Sequence, residues 1–219
     1  MRSRNIRANG ALIYANDNRK QLEEFKYLLA RSGLLDGTGR IDIKTEKRKG
    51  YRILKIYSEG KVYRILVKVI NTNYFDIEYM VRLNERAEKM FKEDSHYGLK
   101  DRNGLDQLLA LMKQYTFGRE YHPTIIDKAA YIWYSIATKQ LFHNGNKRTA
   151  LLAGFTFLER NLIELHFDSS QELYDLSVEI AEGKVSEKQL RQYIKENSTL
   201  NFEVMSYYNE RYDIFRRNG

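Results

Sequence analysis

The chain has 219 residues, 42% of them apolar, with one Pro, 13 Gly and no Cys. That length suits one large domain or one domain with a smaller addition. The absent thiols exclude disulfides, thiolate catalysis and cysteine-held zinc, and they fit a reducing cytoplasm. The net charge of +8 is uneven: residues 1–70 hold 17 Lys and Arg against 7 Asp and Glu, and residues 71–219 hold 20 against 22. A basic first third fits nucleic acid or an acidic protein partner, and a plain solvated surface is the alternative. No stretch approaches the roughly 20 apolar residues of a membrane span. No apolar run of signal-peptide length follows the basic start, so a soluble cytoplasmic protein is expected.

Residues 1–15 carry little pattern and read as a lead-in. Asn16 to Ser32 predicts a helix, because Leu22, Phe25, Leu28 and Leu29 recur at three- and four-residue spacings. Gly33 stops it, and Gly37 and Gly39 continue the loop. Alternation at Ile41 and Ile43, then from Tyr51 to Tyr57 and from Val62 to Ile70, predicts two or three strands. Ser58-Glu59-Gly60-Lys61 is the hairpin turn between the last two. A second turn, Lys47-Arg48-Lys49-Gly50, reads as a recognition tip for nucleic acid or, more commonly, as a charged turn.

From Asp76 the pattern is helical. Ile77, Met80, Val81, Leu83, Ala87 and Met90 give an amphipathic helix to about Lys92. Gly98 breaks it, Asn103-Gly104 reads as a turn, and Leu105, Leu108, Leu109 and Met112 form a short helix. Tyr115 to Pro123, rich in aromatics, reads as a loop or flap. Thr124 with Asp127, Ser169 with Glu172, and Ser186 with Gln189 have capping-box spacing and predict three helix starts. Ala150 to Leu158 is apolar nearly all round, as in a helix buried inside a bundle. The last 20 residues, with Phe202, Met205, Tyr208, Tyr212 and Phe215, predict a terminal amphipathic helix. The expected organisation is a basic α+β domain over 1–74, a helical domain over 75–198 and a C-terminal helix over 199–219.

Between the two apolar helices lies Gln140-Leu141-Phe142-His143-Asn144-Gly145-Asn146-Lys147-Arg148-Thr149-Ala150. A helix starting near Asn146 or Lys147 points its free N–H groups and its positive dipole end at this loop. Gly145 permits an unusual backbone angle or a close ligand approach. Lys147 and Arg148 are unfavourable in a helix's first turn unless an anion sits there, and a phosphate would satisfy both charges and N–H groups. An ordinary cap with solvated cations is the competing reading.

Phe142-His-Asn-Gly-Asn-Lys-Arg-Thr-Ala150 resembles the signature of the Fic/Doc family in its Doc-like (death-on-curing) branch. The family pattern is His-x-Phe-x-acid-Gly/Ala-Asn-Lys-Arg-Thr-Ala. Tyr97 to Asp106, Tyr115-Thr-Phe-Gly, His122-Pro-Thr, Lys128-Ala-Ala130, Glu172 to Leu176 and Ala181 to Lys184 also fit, so the resemblance covers about residues 75–197. It implies a mainly α fold: a Fic/Doc-type helical bundle at about 75–197, preceded by the small α+β domain. It also implies ATP-dependent transfer of a phosphoryl or AMP group to a hydroxyl of a target protein. The branch's Lys, here Lys147, is associated with phosphoryl transfer. The resemblance would set Gly145, Asn146, Lys147 and Arg148 on the phosphates, Asn144 at the Mg²⁺ position, and Tyr115 to His122 on a flap that docks the target. Many members carry a Ser/Thr-x-x-x-Glu-Gly/Asn inhibitory helix. No copy occurs here, and Thr116 with Glu120 is followed by Tyr121. Restraint by a separate antitoxin is the implied alternative.

Two family positions differ. The catalytic His is Gln140, whose amide is no base near neutral pH, and loss of a general base costs roughly 10²–10⁴-fold in rate. The acidic metal ligand is Asn144, which offers a carbonyl oxygen without charge. His143 is the nearest titratable substitute base, although the pattern leaves its position variable and directs it away from the site. The four His show no zinc-ligand spacing. The readings are therefore an active toxin or effector, a catalytically impaired Fic-fold binding protein, and a nucleic-acid-binding regulator acting through residues 1–74.

Overall fold

The computed structural model describes residues 10–34, 42–48, 51–58, 60–90 and 98–212. The features expected at Gly37, Gly39, Ile41, Lys49, Gly50, Tyr97 and Phe215 lie outside them. In chain order the first elements are β1 (Gly10–Ala15), α1 (Arg19–Arg31), β2 (Asp42–Arg48), β3 (Tyr51–Ser58) and β4 (Lys61–Ile70). Then come α2 (Ile77–Met90), α3 (Arg102–Leu111), β5 (Tyr115–Thr116), β6 (Arg119–Glu120), α4 (Ile125–Thr138) and α5 (Asn146–Arg160). The last are β7 (Ile163–Leu165), α6 (Ser170–Ala181), α7 (Glu187–Glu196), β8 (Ser198–Leu200) and α8 (Phe202–Tyr212). The protein is mainly α with a small α+β part. Residues up to Thr72, grouped with those from Thr199, form one compact unit, and Asn73–Ser198 forms the other.

In the first unit four strands lie in the order β1-β4-β3-β2. β2, β3 and β4 are antiparallel neighbours, and β1 runs parallel to β4 with Leu12 opposite Val67. β1 corrects the expectation that residues 1–15 are only a lead-in: its Leu12 to Ala15 are all buried. Asn18 caps α1 by accepting from Gln21 N at 2.8 Å. The helix buries Leu22, Phe25, Leu28 and Leu29, with Tyr14 stacked on Phe25 at 5.0 Å. Gly60, at φ 75°, lies in the expected β3–β4 hairpin turn.

The second unit is built on α4 and α5. α4 begins with the full capping box of Thr124 and Asp127 and buries twelve of its fourteen residues. From Asn146 to Leu158, α5 has no exposed residue, as its composition implies for a helix inside a bundle. The two helices approach closely because residue 154 is Gly: a Cβ there would lie 2.7 Å from Trp133 Cε3. Trp133 donates from Nε1 to Ser177 Oγ of α6 at 2.8 Å, satisfying the buried indole. Arg191 of α7 reaches Asp127 at 2.6 Å.

Three local expectations change. Asn103 and Gly104 belong to the first turn of α3, where Asp101 accepts from Gly104 N at 2.8 Å, so they are not a turn. Glu172 does not close a capping box on Ser169: it accepts from Asp168 N instead. The Tyr115–Pro123 segment contains a two-residue β-hairpin, β5–β6, turning through Phe117 (φ 49°) and Gly118 (φ 77°). Lys128, 1% exposed, ties this hairpin down by donating to the His122 carbonyl and to Glu120 Oε2.

Candidate functional site

The polar loop joins α4 to α5, and its own apolar residues anchor it. Leu141 and Phe142 are buried at 3% and 0% exposure, holding the loop against the bundle. Residues 98–101 then grip it from one side. Leu99 forms a β-bridge with Phe142, His143 N donates to Gly98 O at 3.0 Å, and Lys100 N and Asp101 N both donate to Leu141 O. Asn146 grips it from within. Its Oδ1 accepts from Phe142 N at 3.0 Å, and its Nδ2 donates to Phe142 O at 2.9 Å and Gln140 Oε1 at 3.4 Å. Asn146 thus serves as a clasp for the loop, with its amide engaged by Phe142 and Gln140.

α2 supplies a second support that the sequence reading missed. Asn84, fully buried, donates to Asn144 O and Thr149 Oγ1, both at 2.9 Å, and accepts from Gly98 N at 3.0 Å. One turn later Glu88, 1% exposed, meets Arg148, whose Nη2 lies 3.1 Å from Oε1 and 3.5 Å from Oε2. The signal was present: Asn84 and Glu88 lie on the stripe of Met80, Leu83 and Ala87, where apolar residues belong. Gly145 makes room for this pair. It has φ 69°, and a Cβ there would lie 1.9 Å from Glu88 Oε1.

Above the loop is a cleft of about 340 Å³ lined by Gln140, His143, Asn144 and Gly145 to Arg148, with Thr138 of α4, Tyr174 of α6 and Glu182 at the C-cap of α6. The size falls in the range of small-ligand pockets. Helix α5 opens onto it without a side-chain cap, whereas α1, α3, α4, α6 and α7 each have one. Its first internal bond is Thr149 N to Gly145 O at 2.8 Å, so the preceding N–H groups belong to the turn that a helix cannot satisfy itself. The dipole, Lys147 and Arg148 all favour an anion at this end. These residues therefore suit the phosphates of a nucleotide such as ATP.

His143 is exposed and lines the same cleft as Gln140, so it is not directed away as its variable family position implied. Asn144 does not suit a magnesium ion. Its Oδ1 accepts from Gly145 N at 2.8 Å, and Mg²⁺ sites ordinarily use one or two carboxylates. The carboxylate on the cleft is Glu182, which pairs with Lys184 at 2.6 Å and is held below the usual range by it. Among the described residues no cluster of three His, Asp or Glu is placed to hold a metal.

His122 stays outside the cleft. It stacks on Tyr131 at 4.1 Å, and burial pushes its imidazole below the ordinary value. His166 is exposed and also absent from the lining.

The Fic/DOC family model matches residues 74–158, which span α2 to most of α5 and contain the whole loop. Toxin Doc of Mycolicibacterium smegmatis is 34% identical over 97 residues, covering 44% of this chain and 71% of that protein. The chain belongs to the Fic/Doc family. The family model does not extend over β1 to β4. Within the Fic/Doc segment, the polar loop lines the cleft. No helix among the described residues is long and apolar enough to cross a membrane.

Proposed function

We propose that this chain is a cytoplasmic Doc-type toxin that binds ATP at the α5 N-terminus and transfers its γ-phosphoryl group to a protein hydroxyl. The observation that carries this reading is the uncapped start of α5, with Lys147 and Arg148 beside it on the cleft. The phosphates would meet first-turn N–H groups and two cations in one place. Lys147 belongs to the branch associated with phosphoryl transfer. In the reaction the target oxygen bonds to the γ-phosphorus, the bond from that phosphorus to the bridging oxygen breaks, and ADP leaves. Positioning and charge stabilisation carry most of such a transfer.

The hydroxyl proton needs an acceptor, and Gln140 is none. His143, the imidazole on the same cleft, is the acceptor in this reading. The exposed hairpin β5–β6, with Tyr115 and Phe117 at 66% and 99% exposure, fits the family role of a flap that receives the target segment. A separate antitoxin would hold the activity in check.

A second reading, a Fic-fold protein that binds nucleotide or partner without transfer, is favoured by Gln140 and by the engagement of Arg148 with buried Glu88. The test is nucleotide binding by calorimetry with single-turnover transfer on the native chain, Gln140→His and His143→Ala. Active wild type abolished by His143→Ala supports the first reading. Binding without transfer, converted to transfer by Gln140→His, supports the second. No ATP binding by any form contradicts the first reading and the nucleotide-binding form of the second.

A further inference from the structure

We propose that the edge strand β2 is a self-recognition surface, at which two copies of this chain join in an antiparallel strand pair with two-fold symmetry. β2 ends the four-stranded sheet, with β3 on one side and no strand on the other among the described residues. Its register against β3 runs unbroken from Asp42 to Arg48, so no bulge turns the edge away, and it holds no Pro. Such an edge is defended by charge alone. The order of those charges, Asp-Ile-Lys-Thr-Glu-Lys-Arg, decides what the edge accepts.

A two-fold axis through Thr45 sets Asp42 opposite Arg48 of the second copy and Lys44 opposite its Glu46, and the symmetry repeats both pairs. These residues alternate onto one face of the strand, so every charge on that face meets its opposite. On the other face Thr45 meets its own copy, and Lys47 lays its methylenes against Ile43. The register is specific. Centring on Lys44 sets Lys44 against Lys44 and Asp42 against Glu46. Centring on Glu46 sets Glu46 against Glu46 and Lys44 against Arg48. Parallel pairing in register sets each charge beside its own copy. Like charges directly opposite one another are destabilising, so these alternatives are disfavoured.

The side chains of this ladder are accessible: Asp42, Lys44 and Arg48 are 60%, 66% and 48% exposed, and Glu46 is 33% exposed. Within the chain Lys44 lies 3.7 Å from Asp42, Arg48 pairs with Glu46, and Lys55 of β3 reaches Glu46 at 3.1 Å. These contacts hold the row in place, and a carboxylate accepts from several donors, so pairs across the axis add to them. The order of signs along the edge selects the partner, and no unpaired charge is needed. Seven residues a side form a contact smaller than a standard interface, so the dimer is weak, with a dissociation constant on the order of 100 µM.

The experiment is sedimentation equilibrium of the whole chain from about 10 µM to about 1 mM. The native chain should dimerise reversibly, and raising salt from about 50 to about 500 mM should weaken the dimer several-fold, because exposed pairs are screened. Lys44→Glu turns two opposite-charge pairs into like-charge pairs and should weaken association at least ~10-fold, as should Glu46→Lys. Lys44→Glu/Glu46→Lys reverses both signs in each copy and should restore the native constant to within about 3-fold. An equimolar mixture of the two single variants should form a heterodimer, because each carries the charge that the other requires. Arg19→Gln/Lys20→Gln, exposed positions on α1, should dimerise like the native chain. Circular dichroism confirms that each variant is folded. Glu46→Lys also loses the contacts to Arg48 and Lys55, and if it does not fold, Lys44→Glu and the double variant decide the matter. A chain monomeric at about 1 mM in low salt, undiminished association of Lys44→Glu, a folded double variant as weak as Lys44→Glu, or folded single variants that stay apart when mixed would each overturn the inference.

Discussion

Gly145→Ala tests how the loop, α2 and α5 are joined. Two separable effects act at this position. The left-handed backbone, φ 69°, disfavours any Cβ by about 1 kcal/mol. The new Cβ would also lie 1.9 Å from Glu88 Oε1 and 2.8 Å from Glu88 Cδ. Glu88 is 1% exposed, so it cannot swing into solvent, and the clash must disturb its pairing with Arg148. Losing one partner of a buried pair costs about 3–5 kcal/mol, and about 3 is apt here because Arg148 can turn toward the cleft. Gly145→Ala should therefore cost about 4 kcal/mol, and Glu88→Ala about 3 kcal/mol. The double variant removes the carboxylate that causes the clash. It should cost about 4 kcal/mol in place of the additive 7, a coupling of about 3 kcal/mol. Each single variant should melt about 10 °C lower, at a few degrees per kcal/mol. Denaturant unfolding of the four proteins in the cycle measures the coupling. Additivity within about 0.5 kcal/mol would refute the proposed contact between Gly145 and Glu88.

Other predictions address the remaining supports. Asn84→Leu removes three hydrogen bonds and leaves the Gly98 N–H and Asn144 carbonyl orphaned, so it should cost about 3 kcal/mol in thermal unfolding. Gly154→Val forces a methyl-bearing Cβ against Trp133 and should cost about 2–3 kcal/mol with a shifted tryptophan fluorescence spectrum. His122 is held neutral by burial, so the unfolded chain binds its proton more readily. Its contribution to stability is present above the unfolded value, near pH 6.5, and is lost as pH falls toward the lower folded value. His122→Phe, which keeps a ring against Tyr131, should flatten the melting-temperature profile over that window.

The two kinds of support differ in how far the sequence reveals them. Thr124 with Asp127 and Ser186 with Gln189 were legible because a capping box is local, and both form as spaced. The placement of the loop between α4 and α5 was legible because two apolar helices flank it. Asn84 and Glu88 were not, because their partners Asn144, Thr149 and Arg148 lie far away in sequence, and helical periodicity assigns faces without naming partners. β1 escaped for the same reason: it is short, and its pairing is to the distant β4. Asn146 has a structural role that its spacing does not reveal. As a family residue it belongs on phosphate, yet both ends of its amide are engaged by Phe142 of its own loop. The short strands β5 and β6 were read as a loop because two-residue strands have no alternation to detect.

The central claim is that the cleft at the start of α5 delivers a phosphoryl group despite Gln140. It is tested most directly by incubating the purified chain with γ-labelled or α-labelled ATP and a cell lysate, then resolving the proteins. The account predicts label on a target protein from γ-labelled ATP alone, lost in Lys147→Ala/Arg148→Ala and in His143→Ala. Label from α-labelled ATP would mean AMP transfer, and no label from either would contradict the claim.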